Sequence, residues 1–286
     1  MPHTPMILAL SCPDRPGIVA AVSTLLAEAG CNIRDAQQFD DLETGRFFMR
    51  VVFDRLEGAR SAAEISVSID DLAKRFSMKV SLRDTSARKR VMLLVSKFDH
   101  CLADLLYRWR IGELPMEITG IVSNHAREHI ASSDIGDLPF HHMPINKQTK
   151  MEQEAELWQL VQQTETDLVV LARYMQILSD GLSAKLAGRC INIHHSFLPG
   201  FKGARPYRQA HERGVKLIGA TAHYVTPDLD EGPIIEQVVQ RVTHGHTPDA
   251  LAAVGRDSER SALARAVRLH IEHRVVLDGH RTVIFG

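Results

Sequence analysis

The hydrophobic positions of the first 84 residues predict short strands alternating with helices. An apolar run at 6–11 gives way at Ile18 to apolar residues at helical spacing, which stop at Gly30, a residue that often ends helices. The predicted elements are a strand at 6–11, a helix at 18–29, strands at 31–41 and 45–54 joined by a hairpin loop, a helix at 61–76 and a strand at 78–84. This β-α-β-β-α-β order predicts a ferredoxin-like unit.

The pattern changes after a polar segment. Residues 85–90 hold no apolar residue except alanine and carry three cations, so they predict a solvated linker. Beyond it, strands are expected at 91–96, 116–124, 167–172, 190–195, 217–225 and 233–242, with helices between most of them, a long helix at 257–273 and a hairpin at Asp278-Gly279. This alternation predicts a Rossmann-like α/β domain with a mostly parallel sheet. We therefore expect domains at 1–84 and 91–286, joined by a linker at 85–90.

Composition narrows the class of protein. The chain of 286 residues is long enough for two domains, and its formal net charge of −1 argues against a broadly basic nucleic-acid surface. No apolar run approaches the roughly 18 residues of a membrane helix, and the N-terminal segment is a poor signal peptide. The four cysteines are scattered without a CxxC pair. We therefore expect reduced thiols and a cytoplasmic protein with no membrane or nucleic-acid partner.

The most informative stretch is the predicted strand at 190–195. A period of two places Asn192 and His194 on one face, near the C-terminal end of the strand, where open α/β sheets bind ligands. The structural alternative is a core histidine whose ring is satisfied by a backbone carbonyl.

A second candidate is the loop at 226–233, which contains three carboxylates, including Asp230. A solvated acidic loop is the alternative. Because this loop also follows a predicted strand, we expect it to meet the end of strand 190–195 at the same edge of the sheet. An amide, an imidazole and a carboxylate would then provide an oxyanion donor, a base of tunable pKa and a group that orients the base or accepts protons.

Two other patterns carry less weight. His125 and His129 match the H-x-x-E-H zinc signature, but no third ligand is indicated and the motif begins directly after a strand, so we expect a surface helix start and no metal. No G-x-G-x-x-G or Walker loop occurs, so a nucleotide cofactor is not expected.

The segments 191–207 and 219–235 resemble the core of folate-dependent formyltransferases. The doubled histidine at 194–195, together with 96–106 and 172–178, is more narrowly similar to the formyltetrahydrofolate deformylases, the hydrolytic branch of that family. The resemblance implies hydrolysis of the substrate 10-formyltetrahydrofolate to tetrahydrofolate and formate without a cofactor. It also implies a role in supplying formate and balancing the one-carbon pool for purine synthesis.

The resemblance also implies site residues. Asn192, His194 and Asp230 match the catalytic trio of the family. The residues that match its substrate cleft are Met175, Gln176, Ile177, Leu178, Ser196 and Gly203, of which the first four form the loop whose backbone holds the pterin ring. Whether His195 or His100 contacts the nucleophilic water stays open.

One departure from the family is informative. Transferases that act on glycinamide ribonucleotide carry a glycine- and serine-rich loop whose amides cradle a phosphate, whereas the segment 96–101 here has no glycine. This disfavours a phosphorylated amine and favours water as the acceptor. Two alternatives stay open, namely a formyltransferase acting on an unphosphorylated amine and a non-catalytic amino-acid-sensing module.

The N-terminal domain is similar to an ACT domain through DRPGIV at 14–19. Such domains commonly pair edge to edge and bind small amino acids. The resemblance therefore implies a regulatory domain, a homo-oligomer and an effector loop formed by Asp14, Arg15, Pro16 and Gly17. A purely structural dimerisation module is the alternative.

Overall fold

The computed structural model describes residues 5–130, 133–200 and 206–286. The chain forms two compact units. The first contains the residues up to Arg88 together with Glu272–Asp278 and Thr282–Gly286, and the second contains Lys89–Ile271 and Gly279–Arg281.

The first unit has the predicted β-α-β-β-α-β order. Its elements are β1 (Met6–Pro13), α1 (Ile18–Glu28), β2 (Cys31–Asp41), β3 (Arg46–Arg55), α2 (Ala62–Phe76) and β4 (Lys79–Asp84). They form an antiparallel sheet in the order β2-β3-β1-β4, whose core includes the fully buried Leu8, Phe53 and Ile65. The helix α2 starts with a capping box, in which Ser61 and Glu64 satisfy each other's backbone amides, and this explains why it begins where the sequence predicts.

Most of the C-terminal tail, namely Glu272–Asp278 and Thr282–Gly286, belongs to the first unit, whereas the predicted boundaries placed it in the second. Its hairpin consists of β12 (Val275–Asp278) and β13 (Arg281–Ile284). The physical reason for the difference is Arg50, which is 7% exposed and donates from Nε and Nη2 to the carbonyls of His273 and Glu272, at 3.0 and 3.1 Å. A buried guanidinium needs such acceptors, and the tail supplies them.

The second unit is the predicted α/β domain, but it begins at Lys89 rather than at 91, because Lys89 and Arg90 of the predicted linker already pair with the strand at 116–123. Its elements are β5 (Lys89–Val95), α3 (His100–Arg110), β6 (Met116–Ser123), a 3₁₀ turn (Arg127–Ile130), β7 (Phe140–His142), α4 (Lys150–Gln163), β8 (Leu168–Leu171), α5 (Asp180–Lys185), β9 (Cys190–His194), α6 (Pro206–Glu212), β10 (Leu217–Tyr224), β11 (Ile234–Arg241) and α7 (Pro248–Ile271). The sheet order is β11-β10-β9-β8-β5-β6-β7. In the described part of the chain, no helix has the length and apolarity that crossing a membrane demands.

The direction of β10 corrects one expectation. Strands β5 to β9 are parallel, but β10 runs antiparallel to β9, with Thr221 opposite His194 and Tyr224 opposite Ile191. The loop that follows β10 therefore begins at the edge of the sheet opposite to the end of β9. The expectation that both loops leave the same edge was wrong, and the loop reaches the site by another route.

The helix α7 begins at Pro248 rather than at 257. Thr247 precedes it, and its Oγ1 accepts a hydrogen bond from the backbone N–H of Ala250 at 3.2 Å. A threonine cap followed by proline is a common helix start. The start was missed because Gly255 interrupts the apolar pattern.

Candidate active site

Asn192 and His194 lie on β9, and a chain of contacts links them. The Asn192 side chain is within 3.3 Å of Nε2 of His223, and His223 lies within 3.6 Å of Asp230. Asp230 in turn contacts Nδ1 of His194 through Oδ2 at 3.2 Å. The structure therefore brings together the three residues that the sequence predicts, and it adds His223 between them.

His223 fixes the orientation of the Asn192 amide. The ring is 2% exposed, and its Nδ1 lies 2.9 Å from the carbonyl oxygen of Tyr224. A carbonyl only accepts, so Nδ1 carries a proton, and in the neutral ring Nε2 is the acceptor. The Asn192 amide nitrogen therefore donates one N–H to His223 and keeps its second N–H for another partner.

Asp230 reaches the site because its loop folds back over the sheet. The backbone N–H of Tyr224 donates to the carbonyl of Pro233 at 2.9 Å, so the loop runs directly against β10. A side chain at Gly232 would place its Cβ 1.8 Å from the carbonyl oxygen of Tyr224, so only glycine permits this approach. Asp230 itself has a φ of +56°. This left-handed conformation is uncommon outside glycine and is typical of functional sites.

The electrostatics of Asp230 favour the charged form. Burial would raise the pKa of its carboxyl group, but the hydrogen bond from Nδ1–H of His194 and the adjacent His223 ring outweigh burial and hold that pKa well below its usual range. A carboxylate with so low a pKa is a poor direct acceptor of protons and a good partner for an imidazole N–H. Of the three carboxylates in the loop, Asp228 and Glu231 are exposed.

The other nitrogen of His194 is the reactive atom of this arrangement. His194 is 6% exposed, and its Nε2 is buried without a hydrogen-bond partner. Because Nδ1 faces the Asp230 carboxylate, Nδ1 is the donor and Nε2 of the neutral ring holds the free lone pair. The geometry therefore presents a proton acceptor whose ring orientation is fixed by a carboxylate.

The loop Met175–Leu178 follows β8, the strand adjacent to β9. Met175 and Ile177 are 52% and 58% exposed, while Leu178 is buried. The loop is anchored by Ser96, whose Oγ accepts the N–H of Met175 at 3.0 Å and donates to Oδ1 of Asn124 at 2.6 Å. The exposed apolar side chains beside a polar cluster suit a flat, partly apolar ligand.

The two remaining predicted cleft residues have different outcomes. Ser196 is buried in the turn after β9, and its Oγ donates to the carbonyl of Gly200 at 2.9 Å. It also lines a cavity of about 290 Å³, whose wall includes His195, Phe197, Tyr207, Ala210 and Val239. Gly203 lies outside the described residues.

His195 and His100 occupy different positions. The rings of His194 and His195 are 5.1 Å apart between centroids, and burial together with the positive charge of Arg173 lowers the pKa of His195 to about 4. His100, at the start of α3, contacts Oε2 of Glu259 through Nε2 at 2.8 Å. His195 therefore borders the predicted trio, whereas His100 belongs to a second polar cluster.

This second cluster surrounds Glu259 on α7, which is 1% exposed. Its carboxylate accepts the hydroxyl of Tyr207 at 2.6 Å, contacts His100, and lies 3.3 Å from Nε of Arg173. Tyr207 occupies the space left by Gly255, where a Cβ would come within 2.0 Å of its hydroxyl oxygen. Burial would raise the pKa of Glu259, but its hydrogen bond with His100, the charge of Arg173 and the hydrogen bond from Tyr207 lower it.

His100, Cys101 and Glu259 form the one group of potential metal ligands found in the described residues, with ligand atoms within 4.8 Å of one another. The chemistry of the group does not suit a cation. Burial raises the pKa of the Cys101 thiol well above its usual value, and the Arg173 guanidinium already lies against the carboxylate. The H-x-x-E-H segment forms a 3₁₀ turn at Arg127–Ile130 rather than the α-helix that the zinc signature requires.

The predicted effector loop lies in the first unit, between β1 and α1. Asp14, Arg15, Pro16 and Gly17 are all exposed, and Gly17 has a φ of +94° at the start of the helix. The guanidinium of Arg15 lies 4.4 Å from the centroid of the Phe76 ring. The loop thus presents exposed backbone at a helix N-terminus.

Comparison with known proteins defines the class. Residues 89–267 match the formyl transferase family, and residues 6–66 match the ACT domain. The chain is therefore a formyl transferase fold with an N-terminal ACT domain. A glycinamide ribonucleotide transformylase from Symbiobacterium toebii shares the fold of the second unit, with a TM-score of 0.63 and 32% identity, over 70% of this chain and 95% of that one.

Full-length relatives narrow the class. A formyltetrahydrofolate deformylase from Corynebacterium sp. (strain P-1) is 50% identical over 284 residues, which are 97% of each chain. The crystal structure of a formyltetrahydrofolate deformylase from Burkholderia mallei ATCC 23344 has a TM-score of 0.92 and 53% identity over the whole of both chains. The chain belongs to the formyltetrahydrofolate deformylase family.

Sequence reasoning missed several residues of the site. His223 is the cross-strand partner of Asn192, but this pairing requires knowing that β10 is antiparallel. Gly232 lies in the segment 219–235 that resembles the family, but nothing in the sequence assigns it a role. Arg173 and Glu259 are 86 positions apart in the chain (259 − 173), and no local pattern connects them.

Proposed function

We infer that the protein hydrolyses 10-formyltetrahydrofolate to tetrahydrofolate and formate. The observation that carries the inference is the buried, unpartnered Nε2 of His194, held by Asp230 on a strand end that also presents an N–H of Asn192. The family of the chain supports the substrate. Formate supply and balance of the one-carbon pool for purine synthesis follow from this reaction.

The proposed reaction uses side chains alone. The free N–H of Asn192 donates to the formyl oxygen, which becomes an oxyanion when water attacks the formyl carbon. Nε2 of His194 accepts the proton that the water loses, and the Asp230 carboxylate stabilises the imidazolium that results. His194 then returns the proton to N10 as the C–N bond breaks, and formic acid loses its own proton to solvent. The route through His194 is favoured over direct proton uptake by Asp230 because the pKa of Asp230 is low.

The substrate is proposed to lie between β9 and the loop after β8. Met175, Gln176, Ile177 and Leu178 would hold the pterin ring through their backbone, while the exposed side chains of Met175 and Ile177 cover its faces. Ser196 shapes the turn that ends the cleft rather than offering a free hydroxyl, because its Oγ donates to Gly200.

Release of formate without an amine tests this function directly. The full chain is incubated with 10-formyltetrahydrofolate alone, and formate and tetrahydrofolate are measured. We expect one formate for each tetrahydrofolate. Formation of tetrahydrofolate only after a small unphosphorylated amine is added would instead indicate the transferase alternative, and no turnover with either acceptor would indicate a sensing module.

The reaction is proposed to need no metal and no cofactor. The donor, base and carboxylate of the trio already supply the chemistry that water attack on a formamide requires. Prolonged treatment with a chelator is expected to leave turnover unchanged. A loss that added Zn²⁺ restores would contradict this proposal.

The first unit is proposed to regulate the enzyme in the cytoplasm as part of a homo-oligomer. Strands β2 and β4 lie at the edges of its sheet, where a second copy can pair. A small amino acid would bind at Asp14–Gly17, where an exposed helix start offers backbone N–H groups. Light scattering of the full chain gives its oligomeric state, and calorimetric titration with free amino acids tests the effector. No heat with any amino acid would favour a purely structural role.

A further inference from the structure

Arg173 occupies an unusual position beside the proposed reaction centre. It follows β8 directly, and the parallel register that pairs Leu171 with Asn192 places it beside the end of β9, where His194 lies. Its φ is +65°, a left-handed conformation that an arginine adopts only when its surroundings demand it. The backbone is held there because the carbonyl of Arg173 accepts the N–H of Ser96 at 3.2 Å.

The guanidinium of Arg173 is buried but poorly satisfied. Its side chain is 11% exposed, and neither Nε nor Nη1 makes a hydrogen bond. Glu259 is in ionic contact with Nε at 3.3 Å, but its carboxylate is already bound by Tyr207 and His100. A buried cation with N–H groups left over normally has an oxygen acceptor in front of it.

The reaction itself produces such an acceptor nearby. Arg173 is close enough to His195 for its charge to act on that ring, and the His195 ring is in contact with His194. Hydrolysis of a formyl group yields formate, a planar anion with two oxygens. A guanidinium matches this shape, because the parallel N–H groups on its Nη1–Nη2 edge bind both oxygens at once, and Nη1 has no partner while Nε faces Glu259.

We propose that Arg173 is a product-binding residue, whose free N–H groups bind formate as it leaves the reaction centre. The inference rests on the proposed hydrolysis and extends it, because it assigns a carboxylate subsite next to the catalytic trio. Glu259 competes with formate for the guanidinium in this arrangement and thereby keeps product binding weak enough for release.

Product inhibition tests the subsite. Hydrolysis by the full chain is measured against sodium formate, with sodium chloride at the same ionic strength as reference. Arg173→Met is expected to raise the formate inhibition constant by at least about tenfold, as expected for loss of a hydrogen bond to a charged group. Glu259→Gln is expected to lower that constant, because it removes the competing carboxylate. Arg208→Met, which changes an exposed arginine paired with Glu212, is the matched control and should leave it unchanged.

The opposite signs separate product binding from a structural role, since mere damage to the cluster would move both variants in the same direction. Equal formate inhibition in the wild type and Arg173→Met, or no formate-specific inhibition of the wild type, overturns the proposal. If Arg173→Met does not fold, the double variant Arg173→Met/Glu259→Gln leaves no lone buried charge and carries the same expectation as Arg173→Met. Line broadening of ¹³C-formate reports binding without turnover, so a failed subsite can be distinguished from a failed hydrolase.

Discussion

Two carboxylates in the second unit, one largely buried and one fully buried, are each held beside a histidine, but they have different partners. Asp230 and Glu259 are 14% and 1% exposed at their side chains, and each lies against a histidine. Asp230 lies in a loop and orients His194, whose opposite nitrogen has no partner. Glu259 lies on a helix, and its oxygens are bound by Tyr207 and His100.

The difference shows what distinguishes a reactive carboxylate from a structural one. Burial and a low pKa are common to both, so neither identifies the site. What differs is the unpaired group that each carboxylate holds in place. At Asp230 it is an unpaired imidazole nitrogen, and at Glu259 it is an arginine whose unpaired N–H groups can bind but cannot accept a proton.

The largest expected effect comes from Asp230→Asn. An amide cannot stabilise the imidazolium and can impose the wrong tautomer on His194, so turnover should fall by on the order of 10³–10⁴. Folate affinity, measured by equilibrium titration, should change little. Asp228→Asn, an exposed neighbour in the same loop, is the control and should keep wild-type turnover. Near-normal hydrolysis by Asp230→Asn would mean that Asp230, like Glu259, has only a structural role.

Asn192→Ala should have the next largest effect. Removing one oxyanion donor typically costs on the order of 10²–10³ in turnover. Because the lost interaction strengthens as the oxyanion forms, kcat should fall while KM stays within a few-fold. An equal loss in affinity and no loss in kcat would instead make Asn192 a residue of substrate binding.

Glu259→Gln is expected to affect stability more than turnover. The variant should lower the free energy of unfolding by about 1–3 kcal/mol, because Arg173 and His100 lose a charged partner in a buried place. Turnover should fall less than tenfold. Urea unfolding and formate release give the two values, and Glu212→Gln on the exposed face of α6 is the control, with a change within about 0.5 kcal/mol. A loss of turnover as large as that of Asp230→Asn would show that Glu259 is not merely a structural carboxylate.

His195 lies between the two clusters and predicts a pH effect on stability. Its pKa of about 4 in the folded protein is below the ordinary 6.5, so the unfolded chain binds a proton more readily in this range. Stability should therefore fall as the pH drops from about 6.5 to 4, by up to about 2 kcal/mol at pH 5 from this residue. His195→Gln, which does not titrate, should show a shallower loss. Identical profiles of stability against pH for the two proteins would show that the pKa of His195 is not lowered in the folded protein.

The sequence predicts most of the fold because the information is local. Helix periodicity, the cap at Ser61 and continuous apolar strands all act over a few residues. The direction of β10 is not encoded locally, since the hydrophobic pattern of a strand is the same whether it pairs parallel or antiparallel with its neighbour. The nine-residue error at the start of α7 (257 − 248) has another cause, because the Thr247-Pro248 signal was present and Gly255 concealed it.

The site is only partly predictable for a related reason. Asn192 and His194 share a strand, so the period of two places them on one face. Asp230 was expected close to them for the wrong geometric reason, and it arrives because Gly232 lets the loop lie against Tyr224. The contacts of Arg173 and Glu259 depend on packing between elements far apart in the chain, and no sequence pattern expresses them.

The contact between Arg50 and the carbonyls of Glu272 and His273 also has a consequence for biosynthesis. Strands β1 to β4 leave the ribosome before the second unit does, yet this guanidinium meets its acceptors only after the second unit up to Ile271 has been translated. The N-terminal unit therefore lacks these two hydrogen bonds while the whole second unit is being synthesised. A chain truncated before Glu272 would leave a nearly buried charge without these acceptors in the domain that was made first.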